Sequence, residues 1–436
     1  MDIIRDDLVY NKKPRYHADV VDHFSQYIRP RHVHDENTSC VIEITGSEFI
    51  SDLSEFFLTV DYKIEKKNTD QAAAQKWIPV QHTTGDSSDS TLCTVNNALE
   101  SMFTQYDISV NGKIITESNH LFPYTAYLVK LLNFSNDAKD TFLTLSGWNS
   151  DSLDVDTLTS ANKGYVARRA RILDGKVDTL CGVLYSDLGF SSALLPSNAD
   201  VAIILHKSPP EFFLQGGNAA ATYRIKIDKI ELETRKYQVS PKISQTIERQ
   251  LSSNGTVPFS HLSTANYFIP VGQSEFQVPR LVMGQIPLRL IFGLVENSSF
   301  TGDVTKSPFN FKKHGLSNYN LSIDGRVYPS RPLEVENYIE PYQNLFRNMG
   351  QYCSNTTCGI TMEQFKASCC LHVINLRSDQ DVRTDVYPYR KRGTISLKLN
   401  FSENVTVGLS LIVLTEFENI YSIDRLRNIT SDHAIN

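Results

Sequence analysis

The sequence predicts an all-β protein: two β-sandwiches in tandem, with a few short helices in the loops. Three observations carry that reading. The 436 residues hold 20 Tyr and 22 Phe against only 2 Trp and 5 Met, and Tyr and Phe favour pleated, half-buried surfaces. Strand-like runs recur along the whole chain. One hairpin sequence occurs twice, about half a chain apart. At roughly 150 residues per domain, with all-β domains often longer, the length suits two domains.

The elements follow in order. Residues 1–34 are polar and read as an N-terminal arm, in which Val20, Val21, Phe24, Tyr27 and Ile28 lie at helical spacing ahead of Pro30. The sharper reading of this arm is a clasp on a neighbouring subunit. A first sandwich is expected over residues 35–238. Its strands include Phe56 to Ile64, Val177 to Leu184, Val201 to Leu205 and Tyr223 to Tyr237; the last alternates Ile225, Ile227, Ile230 and Leu232 with charged residues, with one slip that suggests a bulge. Residues 239–265 are polar and read as a linker. The second sandwich is expected over 266–436, with strands at Tyr267 to Val271, Leu288 to Val295, Tyr319 to Tyr328, Leu371 to Leu376, Thr394 to Phe401 and Val405 to Phe417. Helical patches are short: Phe122 to Leu132, Tyr338 to Phe346, and Met362 to Ala367 behind a Thr361/Gln364 capping pair. Long polar stretches, Glu65 to Asn97 and Asn133 to Lys163, interrupt the first half, and loops of that length tend to be functional or disordered.

The repeat pairs Tyr106-Asp107-Ile108-Ser109-Val110-Asn111-Gly112-Lys113-Ile114-Ile115 with Tyr319-Asn320-Leu321-Ser322-Ile323-Asp324-Gly325-Arg326-Val327-Tyr328. Every position but the last is identical or chemically alike. Asn-Gly and Asp-Gly supply the positive φ that a two-residue hairpin demands. Each hairpin is followed by a Pro-Tyr pair opening a helix, Pro123-Tyr124 and Pro341-Tyr342, and upstream Gly46-Ser47-Glu48-Phe49 resembles Gln273-Ser274-Glu275-Phe276. Two copies of roughly eight strands with long connections suit a Greek-key double sheet, the jelly roll.

Net charge is −6, which argues against a surface that binds nucleic acid all over. Seven cysteines in so long a chain are not a secreted disulfide framework, and the first residues carry no apolar signal core. No apolar run reaches the roughly 20 residues of a membrane span. The expectation is therefore an intracellular product with reduced thiols, made in the cytoplasm or nucleus and not secreted by a signal peptide.

Motifs for chemistry are sparse. There is no phosphate-binding Gly-x-x-x-x-Gly-Lys-Ser/Thr, no His-Glu-x-x-His and no Gly-x-Ser-x-Gly. His32 and His34 beside Asp35 and Glu36 read as solvated arm. Cys353, Cys358, Cys369, Cys370 and His372 are the densest candidate ligands, but adjacent cysteines chelate one tetrahedral ion poorly, so buried free thiols are favoured over structural zinc. No cofactor and no catalytic residue is expected. Two basic clusters remain: Arg168, Arg169 and Arg171, and Arg390, Lys391 and Arg392 beside Tyr387 and Tyr389. Their plain reading is loops or carboxylate partners between subunits; the sharper one is non-specific, salt-sensitive contact with packaged DNA.

The segment Gln105 to Ile115, then Leu121-Phe122-Pro123-Tyr124-Thr125-Ala126-Tyr127-Leu128 and Leu131-Leu132, resembles the major capsid proteins of Polinton (Maverick) elements and adintoviruses. Phe300-Thr301-Gly302-Asp303, Pro308-Phe309-Asn310-Phe311 and Leu321-Ser322-Ile323-Asp324-Gly325 carry the same resemblance in the second half. It spans roughly residues 35 to 430. It implies a double jelly roll similar to the adenovirus hexon, and a non-enzymatic subunit that forms homotrimers of pseudo-hexagonal outline tiling an icosahedral virion capsid around double-stranded DNA. It also implies contacts with neighbouring capsomers and with a single jelly-roll penton protein. The chain lacks the large tower insertions of bigger relatives. The competing readings are tandem sandwiches that bind carbohydrate or another cell-surface ligand, and an enzyme on the same fold.

Overall fold

The computed structural model describes residues 19–30, 39–68, 76–82, 89–116, 118–185, 194–379 and 389–431. Sixteen strands make four principal sheets. The first eight are β1 (Val20–Ile28), β2 (Cys40–Ile44), β3 (Ile50–Lys67), β4 (Phe103–Val110), β5 (Lys113–Ile114), β6 (Asp178–Val183), β7 (Val201–Lys207) and β8 (Tyr223–Val239). The second eight are β9 (Gly255–Ile269), β10 (Glu275–Gln285), β11 (Arg289–Glu296), β12 (Leu316–Ile323), β13 (Arg326–Glu334), β14 (Leu371–Asn375), β15 (Arg392–Phe401) and β16 (Leu409–Ile423). Short strands at Trp77–Pro79 and Ile429–Ser431 extend two sheets, and Cys93–Thr94 pairs with Leu214–Gln215.

The first eight strands form two antiparallel sheets, ordered β1-β8-β3-β6 and β2-β7-β4-β5; the second eight form β9-β16-β11-β14 and β10-β15-β12-β13. Adding eight to each strand number converts the first roll into the second without exception. This is a double jelly roll, as the tandem repeat anticipates. The two hairpins are superposable in kind. Val110 pairs with Lys113 across Asn111 (φ 50°) and Gly112 (φ 77°), and Ile323 pairs with Arg326 across Asp324 (φ 49°) and Gly325 (φ 79°). Both are two-residue turns with positive φ at each central position.

Each roll encloses its own core by alternation. Phe56, Leu58, Val60, Tyr62 and Ile64 of β3 face Ile108 and Ile203 in the first; Leu290, Phe292 and Leu294 of β11 face Leu321, Leu397 and Leu399 in the second. A third apolar cluster lies between the rolls. Five helices matter here: α1 (Phe122–Asn133), α2 (Lys163–Arg171), α3 (Pro241–Ser252), α4 (Ile339–Asn348) and α5 (Met362–Ala367). The capping box expected at Thr361/Gln364 is present: the Gln364 N–H donates to Thr361 Oγ1, and the Thr361 N–H donates to Gln364 Oε1.

Several expectations need correction. Residues 20–28, read as a helix in the arm 1–34, are the edge strand β1, paired with β8 from Val20↔Val239 to Ile28↔Leu232. Val, Phe, Tyr and Ile are good strand formers, and long-range pairing with β8 outweighs a short helical period. The linker at 239–265 instead holds α3 and most of β9, which is the counterpart of β1. Helix α2, carrying the first basic cluster, falls in what reads as loop. The upstream likeness of 46–49 to 273–276 is not topological: the former leads into β3, the latter into β10. His32, His34 and Tyr387 lie outside the described residues.

Candidate assembly surfaces

The junction between the rolls is built around α1. Its apolar residues occupy both sides of the helix, and Tyr124, Tyr127, Leu128, Leu131 and Leu132 are all buried. Such a helix must lie between two bodies. The Tyr127 ring stacks on Phe309 of the second roll at 4.3 Å and 6° and on Trp148 at 5.3 Å; Tyr124 meets Phe309 edge-on at 5.5 Å. The stretch 133–163, read as a long polar loop, thus delivers the fully buried Trp148 to this core. A cavity of about 160 Å³ remains there, lined by Tyr127, Lys139, Trp148, Cys358 and Cys369 among others. Lys139 Nζ donates to the Leu131 and Cys358 carbonyls at 2.7 and 2.6 Å, and burial lowers its pKa to about 8.

The first basic cluster is a set of internal fasteners. Arg168 is 1% exposed and grips Asp151 with two N–H groups at 3.0 and 2.8 Å, while its Nε donates to the Thr94 carbonyl at 3.1 Å. Arg169 Nε donates to the Ser90 carbonyl at 2.7 Å, and Arg171 Nε to Asp178 at 2.8 Å. A buried bidentate pair of this type is costly to break from one side, and its guanidinium is out of reach of a phosphate. Lys130 and Glu100 form a second buried pair at 2.7 Å, supported by the Ser146 hydroxyl. No sequence signal distinguishes Arg168 from its neighbours, because Asp151 comes from a separate loop. The second cluster belongs to the other roll: Arg390 approaches Glu418 at 3.6 Å, while Lys391 and Arg392 are exposed at the start of β15.

The cysteine–histidine cluster of the second roll is dominated by buried thiols. Cys358, Cys369 and Cys370 are buried free thiols and Cys353 is exposed. Cys370 Sγ lies 3.9 Å from His372 Nε2, but burial pushes the thiol up to about 12 and the imidazole down to about 3. Both stay neutral, so the pair lacks the thiolate that a nucleophile needs. Among the described residues no three of His, Cys, Asp and Glu converge to hold a metal ion, and no helix is long and apolar enough to cross a membrane.

What the surface does offer is sheet. In the second roll, the outward row running across β9, β16, β11 and β14 is Thr264–Leu414–Ile291–Val373. All four are buried, and Thr125 of α1 sits on the row with a 2.7 Å hydroxyl contact to Thr264. In the first roll, an outward row across the corresponding strands β1, β8, β3 and β6 is Tyr27–Glu233–Phe57–Val183. Tyr27 is 62% exposed and Phe57 37%. Among the described residues, Glu233 and Val183 of that row are half-buried and no element lies across it.

With this architecture in view, comparison with known proteins is decisive for the fold. A chain of the Sputnik virophage matches 100% of this chain and 93% of its own length, with a TM-score of 0.65 at 11% identity. The mavirus major capsid protein matches 99% and 95%, with a TM-score of 0.54 at 11% identity. The PBCV-1 virus capsid protein matches 98% and 99%, with a TM-score of 0.59 at 9% identity. The fold is that of the double jelly-roll major capsid proteins. In sequence, an uncharacterized protein of Caenorhabditis elegans, F54H12.2, is 23% identical over 350 residues, covering 78% of this chain and 82% of its own length. No family model matches the chain.

Proposed function

We propose that this double jelly-roll chain is a major capsid subunit of the Polinton and adintovirus kind, which trimerises into pseudo-hexagonal capsomers and tiles an icosahedral shell around double-stranded DNA. The observation that carries the reading is the strand-for-strand repetition of one roll by the next. Three chains with two equivalent bodies each present six similar corners, so a threefold ring fills a sixfold lattice site, and closed symmetry is the ordinary state of soluble oligomers. The working units are a first roll starting at β1 and a second starting at β9. Partners are other copies of the chain, neighbouring capsomers and a single jelly-roll penton protein. Lys391 and Arg392 are better placed than Arg168 to meet packaged DNA, and such contact would be non-specific and salt-sensitive. A structural role also fits the neutral Cys370–His372 pair.

The test is the mass of the purified chain in solution, followed by electron microscopy of concentrated samples. One copy is 49.3 kDa, so a trimer is 147.9 kDa. Trimers that condense into shells are expected; a strictly monomeric species at every concentration would refute the proposal.

A further inference from the structure

We infer that the cavity between the two rolls is a binding site for a small organic monocarboxylate, held by the Lys139 ammonium and walled by Tyr127 and Trp148. The inference goes beyond the capsid reading and does not depend on it. Both rolls build the cavity: Lys139 and Trp148 come from the first, Ile360, Gln364 and Cys369 from the second. Its volume of about 160 Å³ is close to that of an apolar cavity that accepts benzene, about 150 Å³.

The unused polar groups at this space are donors. An ammonium has three N–H groups, and the Leu131 and Cys358 carbonyls take two of those on Lys139. Lys139 is 3% exposed. Of the two carboxylates that line the cavity, Asp151 is gripped by Arg168 and Asp140 stands exposed at the mouth; neither forms an ion pair with Lys139. Asn96, 7% exposed, also lines the cavity. Its amide oxygen accepts the Asn97 and Asn149 N–H groups at 2.9 and 2.8 Å, and its NH₂ has no partner among the described residues. Ser150 Oγ accepts from Trp148 Nε1 at 3.2 Å and keeps its own proton to donate.

One ammonium N–H, an amide and a hydroxyl therefore remain beside a positive charge that has no ion partner. A buried charge without a counter-charge is unfavourable, and an anion of single charge balances it. Leu131, Val155 and Ile360 add apolar wall, which an inorganic anion leaves uncovered and the body of an organic carboxylate fills. Lys139 Nζ lies 5.9 Å from the centre of the Trp148 ring, so a carboxylate on the ammonium sits beside the indole. Because both rolls supply the walls, the ligand ties them together and stabilises the folded chain by mass action.

The probes are benzoate and its neutral isostere benzamide. The chain has two tryptophans, Trp77 and Trp148, and Trp77→Phe leaves the cavity indole as the reporter. Benzoate is expected to change Trp148 emission saturably and to raise Tm by about 2 °C or more at a hundredfold excess over Kd. Benzamide should bind at least about tenfold more weakly, since it lacks the charge that strengthens the Lys139 hydrogen bond. In Lys139→Met that preference should vanish. If this variant fails to fold, the pH dependence of the Trp77→Phe chain decides the same point. Burial brings Lys139 to about 8, so benzoate affinity should fall about tenfold from pH 7 to pH 9 as the ammonium loses its proton, while benzamide affinity stays level. The other groups facing Lys139 hold steady over that range. Burial raises the Cys358 thiol and holds that of Cys369 at about 11, and Asp140, Asp151 and Arg168 contribute fixed charge. The site is overturned if millimolar benzoate leaves emission and Tm unchanged, if it binds no better than benzamide, or if its affinity is level from pH 7 to pH 9.

Discussion

The outer face of the corresponding sheet has opposite chemistry in the two rolls. In the second roll the outward row Thr264–Leu414–Ile291–Val373 is buried, under α1 of the first roll at Thr264 and beside α4 of its own roll at Val373; in the first roll the row Tyr27–Glu233–Phe57–Val183 keeps Tyr27 and Phe57 exposed. The neighbouring positions sharpen the contrast. Gly293 lets Phe311 and Leu371 close over the second roll's sheet, where a Cβ would come within 2.6 Å of the Phe311 ring. The first roll instead carries Thr59 and Cys181, 3.4 Å apart, and Thr179 donating to Asp61 at 2.6 Å. A jelly roll fixes which residues point out from a sheet. Whether those residues are apolar depends on what connectivity places over them. A face covered as soon as the chain folds can be oily, whereas a face that must stay soluble before it meets a partner keeps charge among its aromatics.

The contrast predicts its largest effect at Ile291. Ile291→Asp puts a carboxylate between Leu414 and Val373 in an apolar junction, and an unpaired buried charge costs more than about 4 kcal/mol. A drop in Tm of about 10 °C or more is expected, with loss of soluble chain at 37 °C. An Ile291→Asp protein that melts with the parent would mean that the junction opens to water, and the two faces would no longer differ in kind.

Acid should separate the rolls next. His372 is sandwiched between Phe292 (4.8 Å) and Tyr319 (5.0 Å), and its Nδ1 has no hydrogen-bond partner; burial holds its pKa at about 3. His314, also in the second roll, is held by burial at about 4. Both values lie below the unfolded value of about 6.5. The stability these residues lend is complete above pH 6.5 and is lost as pH falls towards 4, where only the unfolded chain binds the two protons. The slope approaches about 1.4 kcal/mol per pH unit for each histidine. Hydrogen exchange at pH 5 is expected to show β9–β16 losing protection before β1–β8, and His372→Phe should shrink the difference. Equal loss in both rolls, or no change on substitution, would remove the histidines from the account.

These residues also show what the sequence discloses. The hairpins at Asn111-Gly112 and Asp324-Gly325 and the cap at Thr361 are legible because a few adjacent residues determine them. Strand β1 is not, because its state is set by pairing with β8 some 200 residues away. Arg168 reads as a surface cation because its partner Asp151 arrives on another loop, and burial of charge is a property of the assembled chain. The difference between the two outward rows is hidden for the same reason. Leu414 and Glu233 sit in equally regular strands, and only the cross-strand register reveals which residues share a row with each.

The smallest effect is expected on the open row itself. Phe57 alternates between Phe56 and Leu58, which are fully buried, but is itself partly exposed. It pairs across the sheet with Glu233 and Val183, not with anything from the second roll. Phe57→Ser removes a side chain that is 37% exposed and otherwise covered within the single chain, and its cost should stay at about 2 kcal/mol, a shift in Tm of a few degrees. The measurement belongs at low concentration, where the chain is alone. If the row is closed by another copy, the same substitution should cost more as concentration rises, because binding to the folded state adds stability by mass action. A Phe57→Ser penalty that is large and independent of concentration would place the ring inside the chain's own core, and the two rolls would then be alike in the one respect that here sets them apart.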